Sequence, residues 1–314
     1  MVRLWTIIAA VLALFVTQAW GAEERVQLQT ETGALHGTLA LPGGAPPFPV
    51  VIIVAGSGAT DRDGNQPQLK NDSLKLLAEA LAGEGTASLR YDKRGVGESA
   101  AAGLNEEQVR FEMYVGDAVR WIGTLRKDTR FSRVGLIGHS EGSLIGMVAA
   151  KQVKVDALIS IAGAGRAAPA VLRSQLSAQL PKHLKAKFEQ ILDDLTAGRT
   201  VADTPAELAF IARPTLQPYL ISWFKYDPVR EIAGLDIPVL IVQGTTDLQV
   251  GVDDAQRLAA AKPGAKLALI DNMNHVLKRA VTPAEQQAAY TDPSLPIERK
   301  AVAEITGFLR SAQR

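Results

Sequence analysis

Two periodicities divide the chain. Val26-Gln27-Leu28-Gln29-Thr30 alternates apolar and polar residues, the period-two pattern of a strand with one face in water. Residues 34–41 continue beyond the Thr32-Gly33 turn signal, so the two segments predict an antiparallel hairpin. Residues 42–49, with prolines at both ends, read as a stiff linker. Beyond it the pattern changes. Residues 50–54, 87–91, 134–138, 157–161, 239–244 and 267–270 are short apolar runs rich in branched side chains, as expected of strands covered on both faces. Helical spacing separates them over 73–81, 106–126, 143–150, 254–261 and 296–309.

The predicted fold is α/β: a mostly parallel, doubly wound sheet preceded by an antiparallel hairpin. One interval breaks the rhythm. Residues 165–230 are longer than a crossover helix requires, and Pro169, Pro181, Pro205, Pro214 and Pro218 punctuate them. Helical patterning over 171–180, 182–195, 206–212 and 216–226 predicts an inserted helical cap over the carboxyl edge of the sheet. The expected division is therefore an α/β core at 22–164 and 231–314 with a cap at 165–230. No internal repeat or low-complexity tract is present.

The first 21 residues are read separately. Arg3, the apolar stretch 4–16 and Thr17-Gln18-Ala19-Trp20-Gly21-Ala22 have the three-part layout of a secretory signal, cleaved after Gly21 or Ala19. The apolar part is shorter than the roughly 20 residues that span a bilayer, which favours a cleaved signal over a membrane anchor. The expected location is periplasmic or secreted, with no stable membrane insertion after cleavage. Cleavage removes Arg3 and no acid, so the formal charge falls from +1 to zero and leaves no basic footprint for nucleic acid. A small-molecule partner is expected. The chain has no cysteine, which excludes a thiol nucleophile, a thiolate metal site and a disulfide.

Candidate chemistry centres on Gly138-His139-Ser140-Glu141-Gly142, between the apolar run 134–137 and a helical run from Ser143. Strand, sharp turn and helix with small residues two positions either side of a serine form a nucleophile elbow. The Glu141 amide, opening the helix, would meet negative charge on an attacked carbonyl oxygen. The second donor should come from the loop after the first core strand, Ala55-Gly56-Ser57-Gly58, and the Ser57 amide is the choice. That loop lacks the Lys-Ser/Thr ending of a phosphate-binding loop.

A serine at its ordinary pKa needs a base. His36 lies in the early hairpin, His139 beside the serine at a point where adjacent side chains diverge, and His183 among lysines of a cap helix. His275 follows the last core strand in Asp271-Asn272-Met273-Asn274-His275, at the sheet edge expected for Ser140, and is assigned the base. Asp247, after the strand 239–244, completes the order Ser, Asp, His and is favoured as its partner over Asp271, which could equally cap the turn.

Asp61-Arg62-Asp63-Gly64-Asn65 hints at a calcium loop but lacks the ligand series and terminal glutamate, so no metal is assigned. In Tyr91-Asp92-Lys93-Arg94-Gly95-Val96-Gly97-Glu98-Ser99, Asp92 and Arg94 are read as bracing a strand exit. Phe210, Tyr219, Trp223, Phe224 and Tyr226 could line an acyl pocket, although packing is the commoner role for such residues.

Together the 55–64 and 92–99 segments, the elbow, Gly244-Thr245-Thr246-Asp247 and Asn274-His275 resemble bacterial α/β-hydrolase esterases, the group classed as serine-aminopeptidase-like hydrolases. The resemblance spans about residues 25–312. It implies Ser140 as nucleophile, His275 as base, Asp247 as orienting acid, an α/β-hydrolase fold, and hydrolysis of carboxylic esters without a cofactor. Many relatives carry histidine where this chain has Ala55. Two other readings remain: amide hydrolysis on the same residues, for which Glu207 is a lone candidate amine anchor, and ligand binding on a fold that leaves the serine unused.

Overall fold

The computed structural model describes residues 21–176 and 179–312. The predicted signal segment 1–21 lies outside them except for its last residue. Among the described residues no helix is long and apolar enough to cross a membrane.

Eight strands form one sheet: β1 (Glu23–Thr30), β2 (Gly33–Ala40), β3 (Phe48–Val54), β4 (Ala87–Tyr91), β5 (Phe131–His139), β6 (Leu158–Ile161), β7 (Val239–Gly244) and β8 (Lys266–Ile270). Their order is β1-β2-β4-β3-β5-β6-β7-β8. β1 pairs with β2, and β2 with β4, antiparallel; every later pairing is parallel. The helices are α1 (Ser73–Gly83), α2 (Phe111–Lys127), α3 (Glu141–Ala150), α4 (Ala168–Leu176), α5 (Lys182–Thr196), α6 (Ala209–Ala212), α7 (Gln217–Trp223), α8 (Pro228–Ala233), α9 (Val252–Ala261), α10 (Pro283–Thr291) and α11 (Arg299–Ser311).

Alternation along β3 builds the two layers. Val50, Ile52 and Val54 pack with Phe111 and Trp121 of α2, Ile145 of α3 and Leu258 of α9. Val51, Ile53 and Ala55 turn the other way, onto Leu74, Leu77 and Leu81 of α1 and Ile305 and Leu309 of α11. Each such side chain, once fully buried, stabilises the fold by about 1.5–3 kcal/mol before chain entropy is counted. Because the central strands run parallel, their carboxyl ends share one edge, and the loops after β3, β4, β5, β7 and β8 meet there.

Between β6 and β7, helices α4 to α7 enclose their own apolar cluster, in which Leu184, Phe188 and Ile191 of α5 meet Leu208, Leu220 and Phe224. Gln217 is buried among them and saturated: its amide nitrogen donates to Val201 O and Ala212 O while its oxygen accepts from Val201 N.

Three elements depart from expectation, the first being α8, which crosses the expected boundary at residue 230 where no helix is predicted. The helix predicted over 106–126 breaks into a single turn at Glu106–Gln108, an extended Arg110, and α2 from Phe111. Long-range bonds override the local periodicity here: the Phe111 amide donates to Ser222 Oγ at 2.8 Å, and Glu106 accepts from Arg213 and Thr215. Helix α10 was not anticipated, although its start carries a capping box in which Thr282 accepts from the Glu285 amide and Glu285 reaches back to the Thr282 amide.

Candidate active site

β5 ends at His139 and α3 begins at Glu141, leaving Ser140 alone on the turn at φ 55°, ψ −121°. An L-residue is strained there, and the surroundings hold it. The Ser140 amide donates to Ile161 O at 2.9 Å, and its carbonyl accepts from the Ser143 amide at 3.0 Å. The flanking glycines are steric requirements: a Cβ at 138 would lie 2.2 Å from Gly142 O, and one at 142 would lie 2.2 Å from Val54 O. The turn therefore packs directly against the end of β3.

Ser140 opens into a cavity of about 580 Å³ shared by the core loops and the 165–230 segment, with Leu144, Val171, Leu172, Leu216, Leu220 and Trp223 on its apolar wall. Of the five aromatic candidates, Phe210, Tyr219 and Trp223 line it. Phe224 is buried in the α4–α7 cluster, and Tyr226 packs on Phe111 with ring centroids 5.0 Å apart. Glu207 is exposed and does not line the cavity.

On one flank of Ser140 lies the loop after β3. A Cβ on Gly56 would come within 3.1 Å of Ser140 Cβ, so the Gly56-Ser57 backbone abuts the serine, and Ser57 and Glu141 both line the cavity. Among the described residues, the Ser57 and Glu141 amides have no hydrogen-bond acceptor of their own. Beside them, also lining the cavity, sits Lys93, whose neighbours carried the sequence expectation instead. Its side chain is buried and donates to Gly56 O, its Nζ is 3.8 Å from Glu141 Oε2, and it lies 5.4 Å from the Tyr114 ring centroid. Burial lowers the basicity of Lys93, and the Glu141 charge opposes that shift. The other Glu141 oxygen accepts from the Tyr219 hydroxyl of α7.

On the opposite flank, the loops after β7 and β8 bring Asp247 and His275 together, with Nδ1 2.8 Å from Oδ2. A carboxylate only accepts, so Nδ1 carries the proton and a neutral ring offers Nε2 as its basic site. Asp247 Oδ1 also accepts from the Gln249 and Val250 amides at 2.8 and 3.0 Å, and Oδ2 accepts from Gln243 Nε2 at 3.2 Å. Burial pushes the Asp247 carboxyl upward, but His275 and the two amides outweigh it and hold the group below its ordinary value. Asp271 is exposed and takes no part.

His139 has a position that was not anticipated. Its ring lies 4.9 Å from that of His275, and its Nε2–H donates to the His275 carbonyl at 2.8 Å. Burial, then the neighbouring His275, pushes it down to about 4, so it is neutral at physiological pH. His139 thus ties the residue beside Ser140 to the backbone of His275. The hydrogen bonds among the described residues include none directly between Ser140 Oγ and His275 Nε2. His36 lies on β2 beside Gln27, and His183 is exposed on α5.

The remaining motifs are scaffolding. Asp61 accepts from the Asp63 and Asn65 amides as the hub of a turn. Asp92 braces the backbone as expected, accepting from the Arg62 and Glu98 amides, whereas Arg94 instead forms a two-point pair with the Asp117 carboxylate. The clue to Lys93 was a cation two residues after a fully buried strand, at the edge where the site loops meet.

A parallel sheet extended by an antiparallel hairpin, with a serine elbow after β5, is the α/β-hydrolase fold. The chain belongs to the serine aminopeptidase S33 family, whose model matches residues 72–279. It is similar to esterase EstD of Thermotoga maritima, with 28% identity over 247 residues covering 77% of this chain and 58% of that protein. It thus spans a little under three fifths of that relative's length. Est1E of Butyrivibrio proteoclasticus with ferulic acid bound shares the fold at a TM-score of 0.65 and 19% identity, covering 91% of this chain and 99% of that one. The Pyrococcus furiosus esterase Pf2001 does so at 0.59 and 16%, covering 95% and 92%.

Proposed function

We propose that this chain is a secreted serine hydrolase cleaving carboxylic esters through an acyl-enzyme, with Ser140 as nucleophile, His275 as base and Asp247 as the orienting acid. The observation that carries the reading is the arrangement around Ser140: a cavity with an apolar wall before it, two acceptor-free amides beside it, and a carboxylate-bound imidazole whose backbone is tied to His139, the residue next to Ser140. In the substrate complex His275 Nε2 must come within hydrogen-bond reach of Ser140 Oγ, a contact of the kind that often forms only when substrate binds.

In the first half-reaction, His275 takes the Ser140 proton as Oγ attacks the acyl carbon. The amides of Ser57 and Glu141 hold the oxyanion, and His275 returns the proton to the departing alkoxide, which leaves as alcohol. Water then repeats the sequence on the acyl-serine, releasing the acid. No cofactor takes part.

An ester substrate suits the site better than a peptide. Aminopeptidase action calls for an acid facing the substrate ammonium, but Glu207 lies off the cavity, Glu106 is held by Arg213 and Thr215, and Glu141 by Tyr219 with Lys93 nearby. The esterase EstD relative supports the same choice. Ser140→Ala should lower turnover of a p-nitrophenyl ester by a factor on the order of 10⁶, and a fluorophosphonate adduct should map to Ser140 by mass spectrometry. Ester hydrolysis surviving in the alanine variant would end this reading. Secretion is tested by the N-terminus of the mature protein, expected just after Ala19 or Gly21.

A further inference from the structure

We propose that Lys93 is a positioning residue of the oxyanion site: it holds the Gly56–Ser57 peptide so that the Ser57 amide faces the acyl oxygen on Ser140. This deepens the esterase reading and rests on it.

The geometry gives the reason. In a trans peptide the carbonyl and the following N–H point in opposite directions. Lys93 Nζ donates to Gly56 O, so the Ser57 N–H points to the opposite side of that peptide from Lys93, while Lys93, Ser57 and Ser140 all line the one cavity. Something must impose that orientation. Gly56 leaves the backbone on one side of this peptide free, and no strand ladder reaches it. The other side of Ser57 is secured independently, since its carbonyl accepts from Thr60 Oγ1 at 2.7 Å.

The lysine is itself placed. Its side chain and that of Glu141 are each only 2% exposed, with Nζ 3.8 Å from Oε2, and the Tyr114 ring covers it at 5.4 Å. Drawing density toward a carbonyl also makes the amide on the same peptide a better donor, a second way in which Lys93 strengthens the Ser57 N–H. A buried pair that served stability alone would have no call on the carbonyl beside the nucleophile; Lys93 spends its one short hydrogen bond there.

The test compares wild type, Ser140→Ala, Lys93→Met and Lys93→Arg on a p-nitrophenyl ester, with affinity for an alkyl boronic acid, which forms a tetrahedral adduct on serine, measured beside affinity for the product carboxylate. Lys93→Met is expected to lose about 10²-fold in kcat, the effect of losing one oxyanion donor, with boronate affinity falling in parallel. KM and carboxylate affinity should stay within about threefold, since a donor acting only in the transition state leaves ground-state binding intact. Lys93→Arg, which keeps a charged donor, should recover most of the loss. A folded Lys93→Met enzyme with wild-type kcat overturns the proposal, as does loss of kcat with boronate affinity intact. If Lys93→Met does not fold, Lys93→Gln, one atom too short to reach the carbonyl in the same way, carries the same expectations and the same overturning results. Wild type active, Ser140→Ala inactive and the lysine variants active sinks only the role of Lys93. An inactive wild type, or an active Ser140→Ala, sinks the esterase reading and this proposal with it.

Discussion

The two flanks of Ser140 are anchored in different parts of the molecule. On the His275 flank the direct partners of Asp247 and His275 belong to the core: Gln243, Gln249 and Val250 follow or belong to β7, and His139 ends β5. On the other flank the polar chain runs from Gly56 through Lys93 and Glu141 to Tyr219, which lies on α7 in the 165–230 segment. The His275–Asp247 pair is thus held directly by core residues, and its tie to the 165–230 segment runs indirectly, through Gln249, to Gln175 of α4. The Ser57–Glu141 side is tied directly to α7, which also walls the cavity, so a movement of α7 acts first on that side.

The largest effect should come from the core flank. Asp247→Asn removes the acceptor that keeps the Nδ1 proton in place, and the ring can then present the wrong tautomer to the serine. A loss of kcat on the order of 10⁴ is expected, with KM little changed, in steady-state kinetics on a p-nitrophenyl ester. A loss of less than tenfold would mean that Asp247 does not set the base, and the contrast between the flanks would collapse.

His139 separates the flanks by pH. Burial holds its folded-state value at about 4, against about 6.5 for an unhindered histidine. Between those values the unfolded chain takes a proton that the folded chain refuses, so the stability present above pH 6.5 is lost as pH falls toward 4. At pH 5 the loss is about 2 kcal/mol. The depressed Asp247 carboxyl acts only lower, its contribution being present above its unfolded value and lost as pH falls through its folded one. Urea denaturation at pH 7.5 and pH 5 should show wild type losing about 2 kcal/mol more than His139→Gln, which keeps a donor but no titrating ring. Equal losses in both would show that the ring is not buried neutral.

What the sequence revealed, and what it hid, follows the same division between local and crossing contacts. The elbow was legible because its constraint is local: glycines at 138 and 142 are demanded by backbone a few ångströms away. The pairing of Asp247 with His275 was legible because parallel strands bring their exits to one edge. Lys93 and His139 were not, because their roles depend on which carbonyl each meets across the sheet, at Gly56 and at His275. At the β4 exit consecutive residues part company. Asp92 turns to Arg62, Arg94 to Asp117 and Lys93 to the site, and only the first two were read as braces. The late start of α2 was hidden for the same reason, its cap being Ser222 from a distant helix. The box at Thr282 was present in the sequence and was simply weaker than the apolar patterns around it.

The smallest expected effect is the one that tests whether α7 reaches the oxyanion side. Tyr219→Phe removes the hydroxyl donated to Glu141 while keeping the ring that packs edge-on against Tyr114, with centroids 5.8 Å apart. The buried carboxylate then loses a partner, at a cost of about 1–3 kcal/mol that the site can reduce by moving Glu141 toward Lys93. Lys93 would be drawn from Gly56 O toward the carboxylate, and the Ser57 amide loosened. A fall of roughly tenfold in kcat is expected, equal to 1.4 kcal/mol of transition-state stabilisation, with a matching fall in the rate of fluorophosphonate labelling. The pH 7.5 to pH 5 stability difference should match wild type, because the His139 flank is untouched. Normal labelling in Tyr219→Phe, alongside impaired labelling in Lys93→Met, would place the boundary between the flanks at Glu141 and leave α7 as a wall of the cavity alone.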